Sequence, residues 1–322
     1  MDSINAVCCI KGEIHSIMTL MRLNTKWAKH KLYSREAISP EESSLVQSFR
    51  VLIEYLEGMF DIRDVDCVMY IQPFHQLIVS EHASGPLTIA AISALSKFAL
   101  YGFLACGYPN AEFGINLISN CICKCVFEET DWESDEVVLL KLLELSTMAL
   151  RCDASSHLTI RAAWNIYSTC ISIHNQYRAS KILKSEAATA LRHLTLSIFS
   201  RAYATLGSNG NGNSSRSSNN GNTNKINDDV PIDKKSSAKG DEKGSWEKAA
   251  IMYKLNSPVG ITLLYTKIMV VLSSLMDPTS ATAGDSVKFA LSLVNIALEA
   301  GGPTLSTIGN SLVNQSINQL IN

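Results

Sequence analysis

Residues 39–59 read SPEESSLVQSFRVLIEYLEGM. Ser39 is a suitable N-cap, Pro40 fits the first helical position because the amide it lacks has no partner there, and Glu42 stands three residues after the cap, where it can close a capping box. Behind that start signal Leu45, Phe49, Leu52, Leu56 and Met59 recur at steps of three and four, which gathers them on one face of an α-helix. A single helix cannot hide such a stripe from water. It needs a neighbour, and the sequence on both sides supplies more helices of the same kind.

Upstream, residues 3–31 carry Val7, Ile10, Ile14, Ile17 and Met21 at helical spacing, with Lys11, Glu13, Arg22 and Lys26 mostly on the other side. Downstream, Gln72-Pro73-Phe74 predicts the start of a short helix, and Gly85-Pro86 ends it and opens another that runs through Phe103. Leu-, Ile-, Ala- and Met-rich stretches at 110–126, 134–151, 157–176 and 179–205 predict four more, with Ser134-Asp135-Glu136 placing acidic groups in a first turn. Period-two alternation and hairpin turns nowhere occur together. The expected fold is all-α: consecutive amphipathic helices stacked as an armadillo/HEAT-like solenoid rather than a closed four-helix bundle, without sequence repetition at a fixed period.

The composition changes at Gly207. Residues 207–245 (GSNGNGNSSRSSNNGNTNKINDD and onward) hold almost nothing that could build a core, and read as a low-complexity flexible linker, a long disordered loop interrupting the solenoid. Helical pattern resumes at Trp246, with Ile261–Met276 and Ser286–Ala300, the latter closed by Gly301-Gly302-Pro303. The division expected is 1–206, 207–245 and 246–322. The last segment reads as the start of a truncated second domain, or as the same solenoid continued across an inserted loop.

The chain has 322 residues, 46% of them hydrophobic and 18% charged, so a sizeable core is expected. A formal net charge of -2 supplies no field that would draw it onto nucleic acid. Nine cysteines without regular spacing fit free thiols of a reducing compartment better than a disulfide framework. Lys11 and Glu13 interrupt any signal-peptide core, and Ile261–Leu275, broken by Thr262, Thr266 and Lys267, falls short of the roughly 20 residues of a membrane span. No transmembrane helix is expected.

Chemistry-bearing motifs are weak. Cys121, Cys123 and Cys125 alternate between helix faces and lack a CxxC or His partner, so no metal site is expected. The glycines of GSNGNGNSS lack the Gly-Lys-Ser/Thr ending of a phosphate loop, and the seven His, His75 and His157 included, form no nucleophile–base set. No catalytic residue and no cofactor is expected. Lys26, Lys29, His30, Lys31 and Arg35 make a basic helix end suited to anionic lipid head groups or an acidic partner surface.

Four stretches carry a resemblance: IKGEIHSIMTLMRLNTKWAKH (10–30), LIEYLEGMFDIRDVDCVMYIQPFHQLIVSEHASGPLTIAAISALSKFALYGFL (52–104), ESDEVVLLKLLELSTMALR (133–151) and DSVKFALSLVNIALEAGG (285–302). The first three resemble, in wording and order, the dimerisation and cyclophilin-binding (DCB) domain of the GBF/Gea/GNOM class of Arf guanine nucleotide exchange factors. The fourth resembles the beginning of the homology-upstream (HUS) domain that follows it there. QPF, the SKF segment and SDEVVLLK are the most specific pieces. The CICKC cluster and Trp132 have no counterpart in the family pattern, and the linker is unusually long.

The resemblance implies a non-catalytic region, since the exchange domain with its Glu finger has no match in these residues. It implies a cytoplasmic protein peripheral on Golgi membranes, with a second copy of itself, the HUS domain in cis or trans, and Arf-pathway and Golgi-membrane proteins as partners. It implies a dimer contact at Lys97 and Glu136, where apolar neighbours such as Phe98, Val137 and Leu140 should supply more affinity than the charges. A general α-solenoid adaptor of membrane trafficking is the alternative reading.

Overall fold

A computed structural model describes residues 3–23, 40–81, 83–127, 132–207, 242–276 and 283–302. Eleven α-helices lie among them: α1 (Ser3–Leu23), α2 (Pro40–Glu57), α3 (Cys67–Ile78), α4 (Gly85–Leu100), α5 (Ala111–Cys123), α6 (Trp132–Arg151), α7 (Ile160–His174), α8 (Lys181–Gly207), α9 (Glu242–Met252), α10 (Pro258–Leu275) and α11 (Ala283–Gly301). Short 3-10 turns sit at Ile62–Asp64 and Asp153–His157. No strand occurs among the described residues.

The helices stack in two layers. In one, α2 packs on α3, α3 on α5, α5 on α7 and α7 on α9 and α10; in the other, α1 packs on α4, α4 on α6, α6 on α8 and α8 on α11. From α3 to α8 each helix rests on the helix two places along the chain, while α1, α7 and α8 also pack on one three places along, the arrangement of an α-solenoid. The stripe of the opening helix goes where its spacing directs: Phe49, Leu52 and Leu56 are at most 1% exposed. Around them Phe49 meets Phe74 edge-on at 5.3 Å, and Phe74 meets Phe98 edge-on at 5.4 Å. Each such pair adds about 0.5–1.5 kcal/mol to the area it buries.

Three sequence expectations change. Pro73 lies inside α3 rather than at its start, because Asp66 caps the helix seven residues before it, accepting from the Val68 amide at 2.8 Å. The proline forgoes one ladder bond, and its ring is buried in the core. Next, α4 ends at Leu100, short of Phe103: Gly102 takes φ +75 and the Phe103 amide donates back to the Phe98 carbonyl at 3.0 Å. That is a Schellman closure, with the Phe98 and Phe103 rings 6.1 Å apart as its apolar contact. Third, α10 is by length and composition apolar enough to cross a membrane, with mean hydropathy 1.6 over 18 residues. Its Ile261, Leu264, Ile268 and Leu272 are nonetheless buried in the stack, against α7, α8 and α11.

Two further expectations fall partly outside the described residues. The helix expected over 3–31 is described to Leu23, and Ser39, Lys26, Lys29, Lys31, Arg35 and the linker at 208–241 lie outside. The helix expected from Ser134 begins two residues earlier, at Trp132.

Candidate interaction surfaces

For a stacked helical chain the functional question is which side chains face outward and which are already engaged. Lys97, near the end of α4, donates to Glu13 Oε1 of α1 at 2.6 Å, tying two neighbouring helices together with its side chain 46% exposed. Glu136, in the first turns of α6, accepts from the Ser180 amide at 2.7 Å. The Ser180 hydroxyl accepts in turn from the Leu183 amide, so Glu136 helps to cap α8. Among the described residues the two charges are not paired with each other, and each has a partner inside its own chain.

The apolar neighbours separate. Val137 is 41% exposed and Leu140 half-buried, so both can contribute to a surface. Phe98 is 1% exposed, walled in by Tyr70, Phe74 and Phe103. The helical period turns it about 100° away from Lys97 and into the core, so its expected place at a partner interface is corrected: it is a core residue.

A seam joins the segment beyond residue 241 to the helices before it. The Leu255 amide donates to the Leu158 carbonyl at 2.8 Å and the Ile160 amide to the Tyr253 carbonyl at 3.0 Å, an antiparallel bridge centred on Thr159 and Lys254. Thr159 also caps α7 through Ala162, and its amide donates to Asn116 Oδ1 at 3.3 Å. Lys254 reaches Glu112 on α5 at 2.7 Å. Alongside, Lys267 lies over the rings of Trp246 and Trp164, 5.1 and 5.6 Å from their centroids, while the two indoles meet edge-on at 6.3 Å. An ammonium held between two tryptophans is worth about 0.5–2 kcal/mol per ring, depending on how far it is desolvated.

Gly260 lets the seam close. A Cβ there would stand 2.5 Å from the Lys254 carbonyl oxygen, 2.6 Å from Ser257 Oγ and 3.1 Å from Ile160 Cδ1. Sequence reading marked the composition change at 207–245 but had no signal for this seam, whose parts are single polar residues scattered over several helices.

Beyond the seam, α11 leaves Leu291 and Leu298 about half exposed (52% and 51%), with Val287 and Val294 half-buried beside them. The steps of four, three and four align these side chains along one outward stripe. The cysteines divide by depth: Cys121 and Cys170 are buried, Cys125 is half-buried and Cys123 exposed. Desolvation holds the Cys125 and Cys170 thiols up at about 12. They are therefore poor nucleophiles and poor metal ligands at neutral pH. Among the described residues no group of His, Cys, Asp or Glu is arranged to hold a metal. His75 Nε2 is hydrogen-bonded to Asn120 Oδ1 at 2.9 Å, between α3 and α5, and the His157 carbonyl accepts from Asn116.

No family model matches the chain. Among curated proteins it is 28% identical over 194 residues to the ARF guanine-nucleotide exchange factor GNL1 of Arabidopsis thaliana, and 27% identical over 195 residues to GNOM of the same plant. To the Golgi-specific brefeldin A-resistance guanine nucleotide exchange factor 1 homolog of Caenorhabditis elegans it is 27% identical over 198 residues. These alignments take in 60–61% of this chain but only 10–13% of the relatives' length. Over that part, the chain is homologous to a region of Arf guanine nucleotide exchange factors.

Proposed function

We propose that this chain is the N-terminal regulatory region of an Arf guanine nucleotide exchange factor of the large Golgi type, a DCB-like unit followed by the start of a HUS-like one. It acts by self-association and by docking, without catalysing exchange itself. The observation that carries this reading is the homology to exchange factors over about 60% of the chain, joined to a solenoid whose outward side chains include Lys97, Val137, Leu140 and the α11 stripe. The seam at Thr159 and Lys254 supports docking of the HUS-like start onto the DCB-like helices in cis. A cytoplasmic location on Golgi membranes follows from the same kinship.

In the proposed dimer, Lys97 and Glu136 exchange their intrachain partners for partners on a second copy. Giving up the exposed Lys97–Glu13 pair costs about 0–1 kcal/mol, and giving up the Ser180 amide bond costs Glu136 about 1.5–3 kcal/mol, losses that partners on the second copy offset. Val137 and Leu140 then supply most of the affinity. Light scattering on the purified chain at tens of micromolar should give twice the monomer mass. Lys97→Ala with Glu136→Ala should shift the balance toward monomer, and Val137→Asp should do so more strongly. A monomeric wild-type chain would refute the self-association.

A further inference from the structure

Where the end of α6, the 3-10 turn Asp153–His157, the last turns of α8 and the loop leading into α10 meet, the surface opens into a cavity of about 590 Å³. Arg151, Arg201, Asp153, Ser156 and Asn256 line it. Arg201 is half-buried and fixed: its Nη2 donates to the Leu150 carbonyl at 2.8 Å and to Ser155 Oγ at 2.5 Å. Both acceptors are neutral. Among the described residues no carboxylate lies within salt-bridge distance of either arginine. Burial works against the charge of Arg201 and depresses its pKa, an effect that the nearby Cys152, Cys106 and Asp153 only partly offset.

A guanidinium withdrawn from water is ordinarily paired with an anion, since desolvation without a partner is costly. A second cation, Arg151, lines the same cavity. The Asp153 carboxylate is held in place by the Cys106 amide, which donates to its Oδ2 at 2.8 Å. A carboxylate repels a bare polyanion but accepts hydrogen bonds from hydroxyl groups. Ser156 and Asn256 add neutral donors and acceptors. Two guanidiniums for a phosphate, a carboxylate and two neutral polar groups for hydroxyls, and a volume in the ordinary range for small ligands together describe one ligand class.

We propose that this cavity binds a phosphorylated polyol head group, with its phosphate on Arg151 and Arg201 and its hydroxyls on Asp153, Ser156 and Asn256. The same chemistry is offered by a soluble inositol phosphate and by a phosphoinositide in a membrane. The inference stands on the cavity alone and does not depend on kinship with exchange factors.

The test is a titration of the whole chain by calorimetry with inositol trisphosphate, with inorganic phosphate and with an Asp/Glu peptide, beside flotation with phosphatidylcholine vesicles that contain or lack a phosphatidylinositol phosphate. Inositol trisphosphate should bind, and at least tenfold more tightly than inorganic phosphate. Arg201→Gln should weaken it about tenfold or more, the loss expected when a charged hydrogen-bond partner is removed. Because Arg201 also bonds Leu150 and Ser155, the exposed Arg151→Gln serves as the second variant and should weaken binding with an unchanged circular dichroism spectrum.

Flotation only with the phosphoinositide, lost in Arg151→Gln, identifies a membrane head group. Soluble binding without flotation identifies a free inositol phosphate. No binding of inositol trisphosphate, equal binding of the acidic peptide, or affinity unchanged in Arg151→Gln would overturn the proposal.

Discussion

Replacing Gly260 with alanine tests whether the last three helices are held by the seam. The added Cβ would meet two oxygens at 2.5 and 2.6 Å, one of them the backbone carbonyl of Lys254, closer than carbon and oxygen can approach. Relief requires moving the turn before α10 away from α7, which strains the bridge between Thr159 and Lys254 and pulls Ser257 Oγ from the Gly260 amide it caps at 2.9 Å. Overpacking of this kind costs about 1–3 kcal/mol, and loss of a serine cap about 1 kcal/mol. Alanine returns at most about 1 kcal/mol through its better helix propensity. The net loss is about 2 kcal/mol, a population factor of about 30.

A chain of this length need not unfold in one step, so a single melting temperature is a poor reporter. Native-state hydrogen exchange is better suited. Protection of the α10 and α11 amides should fall about 30-fold, while that of α3 and α4 stays unchanged. Gly12→Ala is the control: it sits inside α1 with nothing within 4 Å of its added Cβ, and should stabilise α1 by about 0.5–1 kcal/mol. Unchanged protection of α10 and α11 in Gly260→Ala would refute the reasoning.

Three other outcomes follow from the same packing. The buried thiols predict alkaline lability: an unfolded cysteine ionises near pH 8.5, whereas Cys170 and Cys125 in the fold are pushed up to about 12. Between those values the unfolded chain has released protons that the folded chain still holds, so stability is complete below about pH 8.5 and falls as pH rises toward 12. Urea midpoints measured from pH 7 to 10.5 should decline, less steeply in Cys170→Ala, and a flat profile would contradict this. Asp66→Ala removes the cap on Val68 and the 2.6 Å bond from Asn110, and should cost about 1–2 kcal/mol by urea titration. Glu112→Ala breaks an exposed ion pair with Lys254, both side chains more than 40% exposed, and should change stability by less than about 1 kcal/mol, the more so at high salt.

The helices themselves were legible because their cause is local. Apolar residues at steps of three and four mark a face, and Val7, Ile10, Ile14, Ile17, Phe49, Leu52 and Leu56 are all buried in the structure. The same spacing could not say which stripe meets which. The helix start at Gly85-Pro86 and the stop at Gly301-Gly302 stand where the sequence puts them, whereas the helix expected to run to Gly85 ends at Ile78. Pro73 was misread as a helix start because the competing signal was Asp66, whose capping geometry depends on a corner where Asn110 and the Pro109 carbonyl also bond.

By itself, then, the amino-acid order determined that this protein is helical, that its helices must stack, and that its composition breaks at Gly207, since each of these depends on residues within a turn or two of one another. Tertiary structure alone decided that Phe98 is core, that Lys97 and Glu136 hold Glu13 and Ser180, that Gly260 permits the seam, and that Arg151 and Arg201 share a cavity. Those are meetings between residues far apart in the chain. They exist only once helices two or three places apart lie side by side, and no period in the sequence records them.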